Sequence, residues 1–113
     1  MHEMSICESL VQTIEAHARS DDFTKVLRLR LEIGCFGGVE IEALRFGFDV
    51  VTRGTCAEGA ELDILSLPGK AWCFGCDTGF DTDSRVSDCP VCGSGRIRVT
   101  GGDELRIKDM EVI

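Results

Sequence analysis

Residues 73–92 read CFGCDTGFDTDSRVSDCPVC and contain two cysteine pairs, Cys73-x-x-Cys76 and Cys89-x-x-Cys92, with twelve residues between them. Two pairs of thiolates at this spacing can close a tetrahedron around one zinc ion. The regular pairing therefore predicts zinc. An iron tetrathiolate site and a redox pair that cycles to a disulfide remain open alternatives.

The residues beside the pairs fit a metal-binding turn. Gly75 and Gly93 lie where glycine lets backbone N–H groups turn toward the sulfur atoms, and Pro90 restricts the backbone of the second pair. The twelve-residue spacer is long enough for a small hairpin. These features predict a zinc-ribbon-like module over residues 70–100.

The chain outside this module contains helical and strand patterns. Ser5-x-x-Glu8 matches a capping box and precedes apolar residues at helical spacing, which predicts a helix over residues 5–18. Alternating apolar and charged residues predict a half-buried strand over 26–33, with Leu27 on its apolar face. The other predicted elements are a helix over residues 40–52, a strand over 60–67 and a returning strand after residue 102.

These elements predict an α+β fold, in which a small three-stranded sheet is combined with two helices. A returning strand is expected because a two-stranded sheet is only marginally stable. The four-cysteine module is then an insertion in this frame. The predicted domains are residues 1–69 with 101–113, which form the α+β domain, and residues 70–100, which form the inserted zinc-binding module.

Charge and composition restrict the possible partners and compartment. The 113-residue chain has a formal net charge of −8, which argues against nucleic-acid binding. No segment is long and apolar enough to predict a membrane span. Seven cysteines without a secretory signal predict a reducing cytoplasm. Cys7, Cys35 and Cys56, which lie outside the array, are interpreted as small buried hydrophobic residues.

The amino terminus offers a second candidate metal site. The Met1 amine, the His2 amide nitrogen and the His2 imidazole can chelate one metal in a plane, which suits Ni(II) or Cu(II). One corner of the plane stays free for a carboxylate, water or a ligand from an acceptor protein. The alternative is that His2 is a frayed terminal residue without a role. His17, the other histidine, is interpreted as a solvated residue near a helix end.

The whole chain resembles the hydrogenase-maturation nickel metallochaperone (HypA/HybF) family. Individual motifs are short, but they occur in order from end to end without large gaps. The similar segments are Met1–Ser5, Ile33–Gly34 with Val39–Glu40, Leu44–Phe46, Gly59–Leu62, Ala71–Cys73, Cys89–Cys92 and Glu104–Ile107.

The resemblance implies a carrier that binds nickel at Met1, His2 and Glu3, with Glu40 as a further candidate ligand. For Glu40 the alternative is a carboxylate that favours a helix N-terminus. The resemblance also implies structural zinc at the four cysteines. In this interpretation the residues 1–69 and 101–113 form the nickel-binding domain, and nickel is a transient cargo.

The function implied by the resemblance is delivery of nickel for maturation of [NiFe] hydrogenase. The implied partners are a maturation GTPase and the large subunit of the hydrogenase, and the oligomeric state, monomer or homodimer, is left open. No arrangement of a nucleophile and a base is evident, so no enzyme activity is predicted. The alternative function is a zinc-ribbon adaptor or regulator with no transferable metal, and a dithiol redox protein is a third possibility.

Overall fold

A computed structural model describes residues 2–113. In this range it has two helices and six strands, and its strands form two sheets of three, in the orders β2-β1-β6 and β4-β3-β5. The predicted α+β fold class is confirmed. The elements are α1 Glu3–Asp21, β1 Val26–Gly34, α2 Ile41–Val51, β2 Glu61–Leu67, β3 Gly69–Cys73, β4 Thr78–Thr82, β5 Ile97–Gly101 and β6 Leu105–Val112.

The chain divides into two compact units. The first unit comprises the segment up to Leu31 together with Val39–Ile64 and Ile107–Ile113. The second comprises Glu32–Gly38 and Leu65–Arg106, and it therefore includes the whole cysteine array.

In the first unit α1 packs closely against α2. The Cys7 thiol is fully buried and lies 3.4 Å from the Leu44 carbonyl oxygen, to which it donates a hydrogen bond. A side chain at Gly47 would place its Cβ 3.2 Å from the Cys7 sulfur, so only glycine leaves this space open. Leu44 and Phe48 complete the apolar face of α2, and their burial holds the two helices together.

Strand β1 supplies both the core and a charged face. Leu29 and Leu31 are fully buried, as the alternating pattern predicts. On the other face Arg28 Nη2 lies 2.9 Å from a carboxylate oxygen of Glu61 in β2, and Arg30 pairs with Asp109 in β6. The strand order explains these pairs, since β1 lies between β2 and β6. The arginine side chains are more than a third exposed, so each pair contributes little stability.

Two details of the sequence interpretation were wrong. Helix α1 begins at Glu3 with His2 as its N-cap, so Ser5 lies inside the first turn and forms no capping box. Leu27 is 41% exposed, whereas its neighbour Val26 is fully buried and occupies the core at the start of β1. Local patterns located α1 and β1 along the chain. Packing against distant residues decides where α1 starts and which residue is buried at the start of β1.

Neither helix of the described chain, residues 2–113, is long and apolar enough to cross a membrane.

Candidate metal centre

The four cysteine sulfurs of the array lie within 4.8 Å of one another. The Cys73 and Cys92 sulfurs are 3.6 Å apart, and those of Cys76 and Cys89 are 3.7 Å apart. A metal with sulfur ligands at about 2.3 Å in a tetrahedron separates the sulfurs by about 3.8 Å. A disulfide would instead bring two sulfurs to about 2.05 Å. The geometry thus fits one tetrahedral metal ion and contains no disulfide.

Two different parts of the second unit supply the ligands. Cys73 ends β3, and Cys76 lies in the turn between β3 and β4. Cys89 and Cys92 lie in the loop before β5, which is fixed by a hydrogen bond from the Cys89 N–H to the Ser94 carbonyl at 2.8 Å. Because β3 pairs with both β4 and β5, the sheet brings these two chain segments together.

Backbone N–H groups point at the sulfurs in both pairs. The Gly75 N–H donates to the Cys73 sulfur at 3.2 Å, as the sequence predicted, and the Val91 N–H donates to the Cys89 sulfur at 3.4 Å. Gly93 acts differently: its N–H donates to the Cys89 carbonyl oxygen, and its φ of 76° is a left-handed conformation that favours glycine. These donors offset part of the negative charge that thiolate ligands bring.

The electrostatics of the cluster favour a bound cation. Hydrogen bonds from the Cys92 and Val91 N–H groups lower the pKa of the Cys89 thiol to about 7. The Thr78 hydroxyl lowers the pKa of the Cys76 thiol, but burial and the neighbouring sulfurs outweigh it and raise that pKa to about 12. Four thiolates this close repel one another, and a metal ion removes that repulsion while displacing the protons.

The cluster is open on one side. Cys73 and Cys89 are buried, Cys76 is half-buried and Cys92 is exposed. Solvent can therefore reach the cluster through Cys92, which gives a metal ion a way in.

The predicted nickel ligands lie at the opposite end of the chain, and Met1 lies outside the described residues. The His2 side chain is exposed and forms no capping hydrogen bond at the start of α1. Glu3 is only 7% exposed, and its carboxylate accepts a hydrogen bond from the Glu40 N–H at 3.2 Å. The amino-terminal charge and this N–H together lower the pKa of the Glu3 carboxyl to about 2.

Glu40 is the N-cap of α2, and from this position its backbone N–H reaches the Glu3 carboxylate. Its own carboxylate accepts a hydrogen bond from the Glu42 N–H at 2.7 Å, which stabilises the start of that helix. The structure therefore brings the Glu40 backbone N–H to the Glu3 carboxylate and gives the Glu40 carboxylate a structural role. Among residues 2–113 the ligand atoms of His2, Glu3 and Glu40 do not form a cluster like that of the four cysteines. The resemblance implied that both residues lie at one nickel site, but no local pattern indicated this hydrogen bond between residues 37 positions apart.

The remaining cysteines and His17 are not members of the four-cysteine cluster. The interpretation of these cysteines as buried residues is confirmed for Cys7, but it was wrong for Cys35, which is exposed, and for Cys56, which is half-buried. His17 is exposed near the end of α1, with Nδ1 3.7 Å from a carboxylate oxygen of Asp21. This is the environment expected for a solvated histidine at a helix end.

Comparison with known proteins identifies the family of this chain. Residues 1–112 match the family model described as hydrogenase/urease nickel incorporation, metallochaperone, hypA. The hydrogenase maturation factor HypA of Paracoccus denitrificans is 55% identical over 113 residues, covering 100% of both chains. The factor of the same name from Azotobacter vinelandii is 54% identical over 112 residues, covering 99% of each chain.

Solved structures agree with the sequence comparison. A solution structure of the Ni metallochaperone HypA from Helicobacter pylori superposes with a TM-score of 0.72 at 25% identity, covering 100% of this chain and 98% of that one. A second solution structure of a HypA protein gives a TM-score of 0.76, also at 25% identity, and covers 100% and 97% of the two chains.

The family match places this α+β protein with its four-cysteine cluster in the metallochaperone class. This chain is a member of the HypA family of nickel-incorporation metallochaperones. Members of this family are maturation factors and not enzymes, as the sequence predicted.

Proposed function

We propose that the protein binds Ni(II) at its amino terminus and delivers it for maturation of [NiFe] hydrogenase. The observation that supports this most strongly is the family match over residues 1–112, together with relatives named hydrogenase maturation factor at 54–55% identity. In this proposal nickel is a transient cargo, and its ligands come from Met1, His2 and Glu3, with Glu40 as a further candidate.

The arrangement of residues around α1 supports a nickel site there. The exposed His2 imidazole has no capping role, so it is available to a metal. Two nitrogens of the backbone terminus and this imidazole supply donors for a square-planar ion. The carboxylates of Glu3 and Glu40 belong to residues joined by a hydrogen bond, and either carboxylate could fill the remaining position or neutralise the ion. An incomplete ligand set favours transfer, because an acceptor can add a ligand before the carrier releases its own.

The four-cysteine centre is proposed to hold structural zinc. The array at Cys73, Cys76, Cys89 and Cys92 uses only protein ligands, as structural zinc sites do, and its sulfur separations fit zinc–sulfur bonds of about 2.3 Å. Thiolate ligands also fit an iron site, which metal analysis distinguishes. Zinc would connect the β3–β4 turn to the loop before β5 and so stabilise the second unit.

We propose that the two units have different roles. The first unit, which contains His2, Glu3 and Glu40, handles nickel, and the second unit, which contains the cysteine centre, has the structural metal. The sequence boundaries, residues 1–69 with 101–113 against 70–100, remain the proposed domains. We place the protein in the cytoplasm, where reducing conditions keep thiolates available. Its proposed partners there are a maturation GTPase and the large subunit of a [NiFe] hydrogenase.

The alternative function is an adaptor that holds zinc but transfers no metal. The two functions differ in whether a second metal binds at the amino terminus. Metal binding at His2, and not at the cysteine centre, therefore distinguishes a nickel carrier from an adaptor.

The test is metal binding by protein with its native amino terminus. The His2→Ala variant is compared with His17→Ala, which removes the other histidine of the chain. We expect His2→Ala to lose nickel binding in titration calorimetry, while His17→Ala binds nickel like the wild type. Zinc measured by elemental analysis should stay at about one equivalent per chain in all three proteins. Unchanged nickel affinity in His2→Ala would contradict the proposed site.

A further inference from the structure

The sheet β4-β3-β5 of the second unit has two faces of different character. On β3, Ala71 is 2% exposed and Cys73 is fully buried. The alternate residues Trp72 and Phe74 point the other way and are 37% and 49% exposed. One face thus supports the metal centre, and the other presents two aromatic rings to solvent.

Cross-strand pairing places arginines beside these rings. Arg98 of β5 lies directly opposite Trp72, and the Phe74 N–H donates to the Arg96 carbonyl oxygen at 2.9 Å. Residues directly opposite on an antiparallel pair project to the same face. We call Trp72, Phe74, Arg96 and Arg98 the aromatic–arginine face.

The neighbouring strand leaves the face open. Gly79 of β4 pairs with Trp72, and a Cβ at this glycine would lie 3.7 Å from Cε3 of the indole. The indole therefore packs over Gly79, where no side chain displaces it. Trp72, Phe74, Arg98, Val99 and Thr100 line a shallow groove of about 420 Å³.

Within residues 2–113, neither arginine of this face forms an ion pair. Lys70 is on the same face, but it pairs with Asp81, which lies directly opposite on β4. Among the described residues, by contrast, no carboxylate forms an ion pair with Arg96 or Arg98, and both are exposed. This is notable in a chain with a net charge of −8, in which acidic residues are abundant.

We propose that the aromatic–arginine face binds an extended acidic segment of a partner protein. Carboxylates of the segment pair with Arg96 and Arg98, and an apolar side chain occupies the groove beside Trp72. Arginine and tryptophan are the residues that most often dominate binding energy at protein interfaces. The acidic residues that dominate the rest of the chain disfavour such a segment elsewhere, and the pairing of two arginines with two exposed aromatic rings favours this face.

Other occupants fit the charges less well. A nucleic acid presents a continuous row of phosphates and needs several cations, but this face has two free arginines on a strongly acidic protein. A second copy of the chain brings a net charge of −8 to the interface, so it is repelled more strongly than a short segment that carries a few carboxylates. This interaction surface is independent of the proposed nickel site, since its residues all belong to the second unit.

The sole tryptophan of the chain makes the test direct, because its fluorescence reports on this face alone. The full-length zinc-loaded protein is titrated with a synthetic ten-residue peptide of alternating glutamate and leucine. The matched peptide replaces each glutamate by glutamine, and a ten-residue thymidine oligonucleotide serves as the nucleic-acid probe. We expect saturable quenching of Trp72 by the acidic peptide and at least tenfold weaker binding of the other two probes.

Two double variants with the same change in net charge complete the experiment. Arg96→Gln with Arg98→Gln removes the charges of the face, whereas Arg19→Gln with Lys108→Gln removes two exposed charges elsewhere. The first should weaken peptide binding at least tenfold and the second less than twofold. Zinc content and nickel binding should be unchanged in both, which separates this test from that of the nickel site.

Several results would overturn the proposal. These are no binding of the acidic peptide, equal weakening in the two double variants, or tighter binding of the oligonucleotide. Self-association of the protein alone in sedimentation experiments, abolished by the arginine variant, would show that the face binds a second copy.

Discussion

The carboxylate of Glu3, in the first turn of α1, accepts a hydrogen bond of 3.2 Å from the backbone N–H of Glu40, the N-cap of α2. This bond joins the starts of two helices that the chain separates by 37 positions. It also uses an N–H that has no partner within its own helix. The proposed nickel site therefore rests on a fixed contact between two parts of the first unit.

The Glu3 contact predicts a pH-dependent contribution to stability. The pKa of this carboxyl is lowered to about 2 by the amino-terminal charge and by the Glu40 N–H, whereas an unfolded glutamate has a pKa of about 4.3. A lowered pKa stabilises the folded state above about pH 4.3, and this stabilisation is lost as the pH falls toward about 2. In urea unfolding without nickel, Glu3→Gln should be less stable than the wild type at pH 7, and the difference should vanish near pH 2. Glu42→Gln is the control, and an equal difference at both pH values would contradict the prediction.

Extending the chain before Met1 should prevent nickel binding. Two added glycines convert the terminal amine into an amide, which removes a nitrogen donor from the proposed chelate. We expect nickel affinity to fall at least tenfold in titration calorimetry, with zinc content unaffected. Proteolytic removal of the extension should restore the affinity. Retention of full affinity by the extended protein would mean that the amine is not a ligand.

Replacing a cysteine of the array should release the structural metal. Cys73 is fully buried at the end of β3, and Cys73→Ser should reduce zinc from about one equivalent to a small fraction of one. Since structural zinc contributes roughly 10–16 kcal/mol of binding free energy in small modules, the second unit should lose its ordered structure. The exposed Cys35 provides the control: Cys35→Ser should keep its zinc and change stability by less than about 0.5 kcal/mol. Elemental analysis measures the zinc content, and NMR spectra show whether the second unit is ordered. A folded, zinc-loaded Cys73→Ser protein would contradict the assignment of the site.

Gly34, at the end of β1, should tolerate no side chain. A Cβ there would lie 2.1 Å from the Gly102 carbonyl oxygen and 2.4 Å from Oε1 of Glu104, so the backbone would have to move. Gly34→Ala should destabilise the protein by about 3 kcal/mol or more in chemical denaturation. At Gly95 the nearest atom to a new Cβ is an oxygen of Asp88 at 3.4 Å, so Gly95→Ala should change stability by less than about 0.5 kcal/mol. Similar stabilities of the two variants would show that the contact at Gly34 is not close.

Local patterns in the sequence predicted most of the fold. Helical spacing located α1 and α2 to within a few residues, and alternation located β1, because these periodicities are properties of the backbone. The errors have a common cause. Ser5 matches a capping pattern, yet the helix begins at Glu3, which is buried and bonded to Glu40. A contact 37 positions away overrides a local signal that is worth about 1 kcal/mol.

The cysteine array also combines a feature that its local sequence predicts with a feature that depends on distant contacts. Its spacing was enough to predict a tetrahedral metal site, because two CxxC pairs constrain their sulfurs locally. The hairpin expected within the spacer between the pairs was wrong: the spacer contains the single strand β4, which pairs with β3, the strand that ends at the first cysteine pair. Strand β5 pairs with the other edge of β3 from beyond the second cysteine pair. Pairing between distant strands is not encoded in any short window of sequence. The aromatic–arginine face depends on that pairing and was not predicted.

The sequence by itself determined the class of protein, the presence of a four-cysteine metal centre and the approximate position of α1, β1, α2 and β2. These follow from periodicity, ligand spacing and the order of motifs, all of which act over short stretches of chain. Only the tertiary structure decided that Glu3 meets Glu40, that Gly34 packs against Gly102, and that Trp72 faces solvent beside Arg98. These relationships join residues far apart in the chain, and they form only when burial of apolar surface and strand pairing bring those segments together.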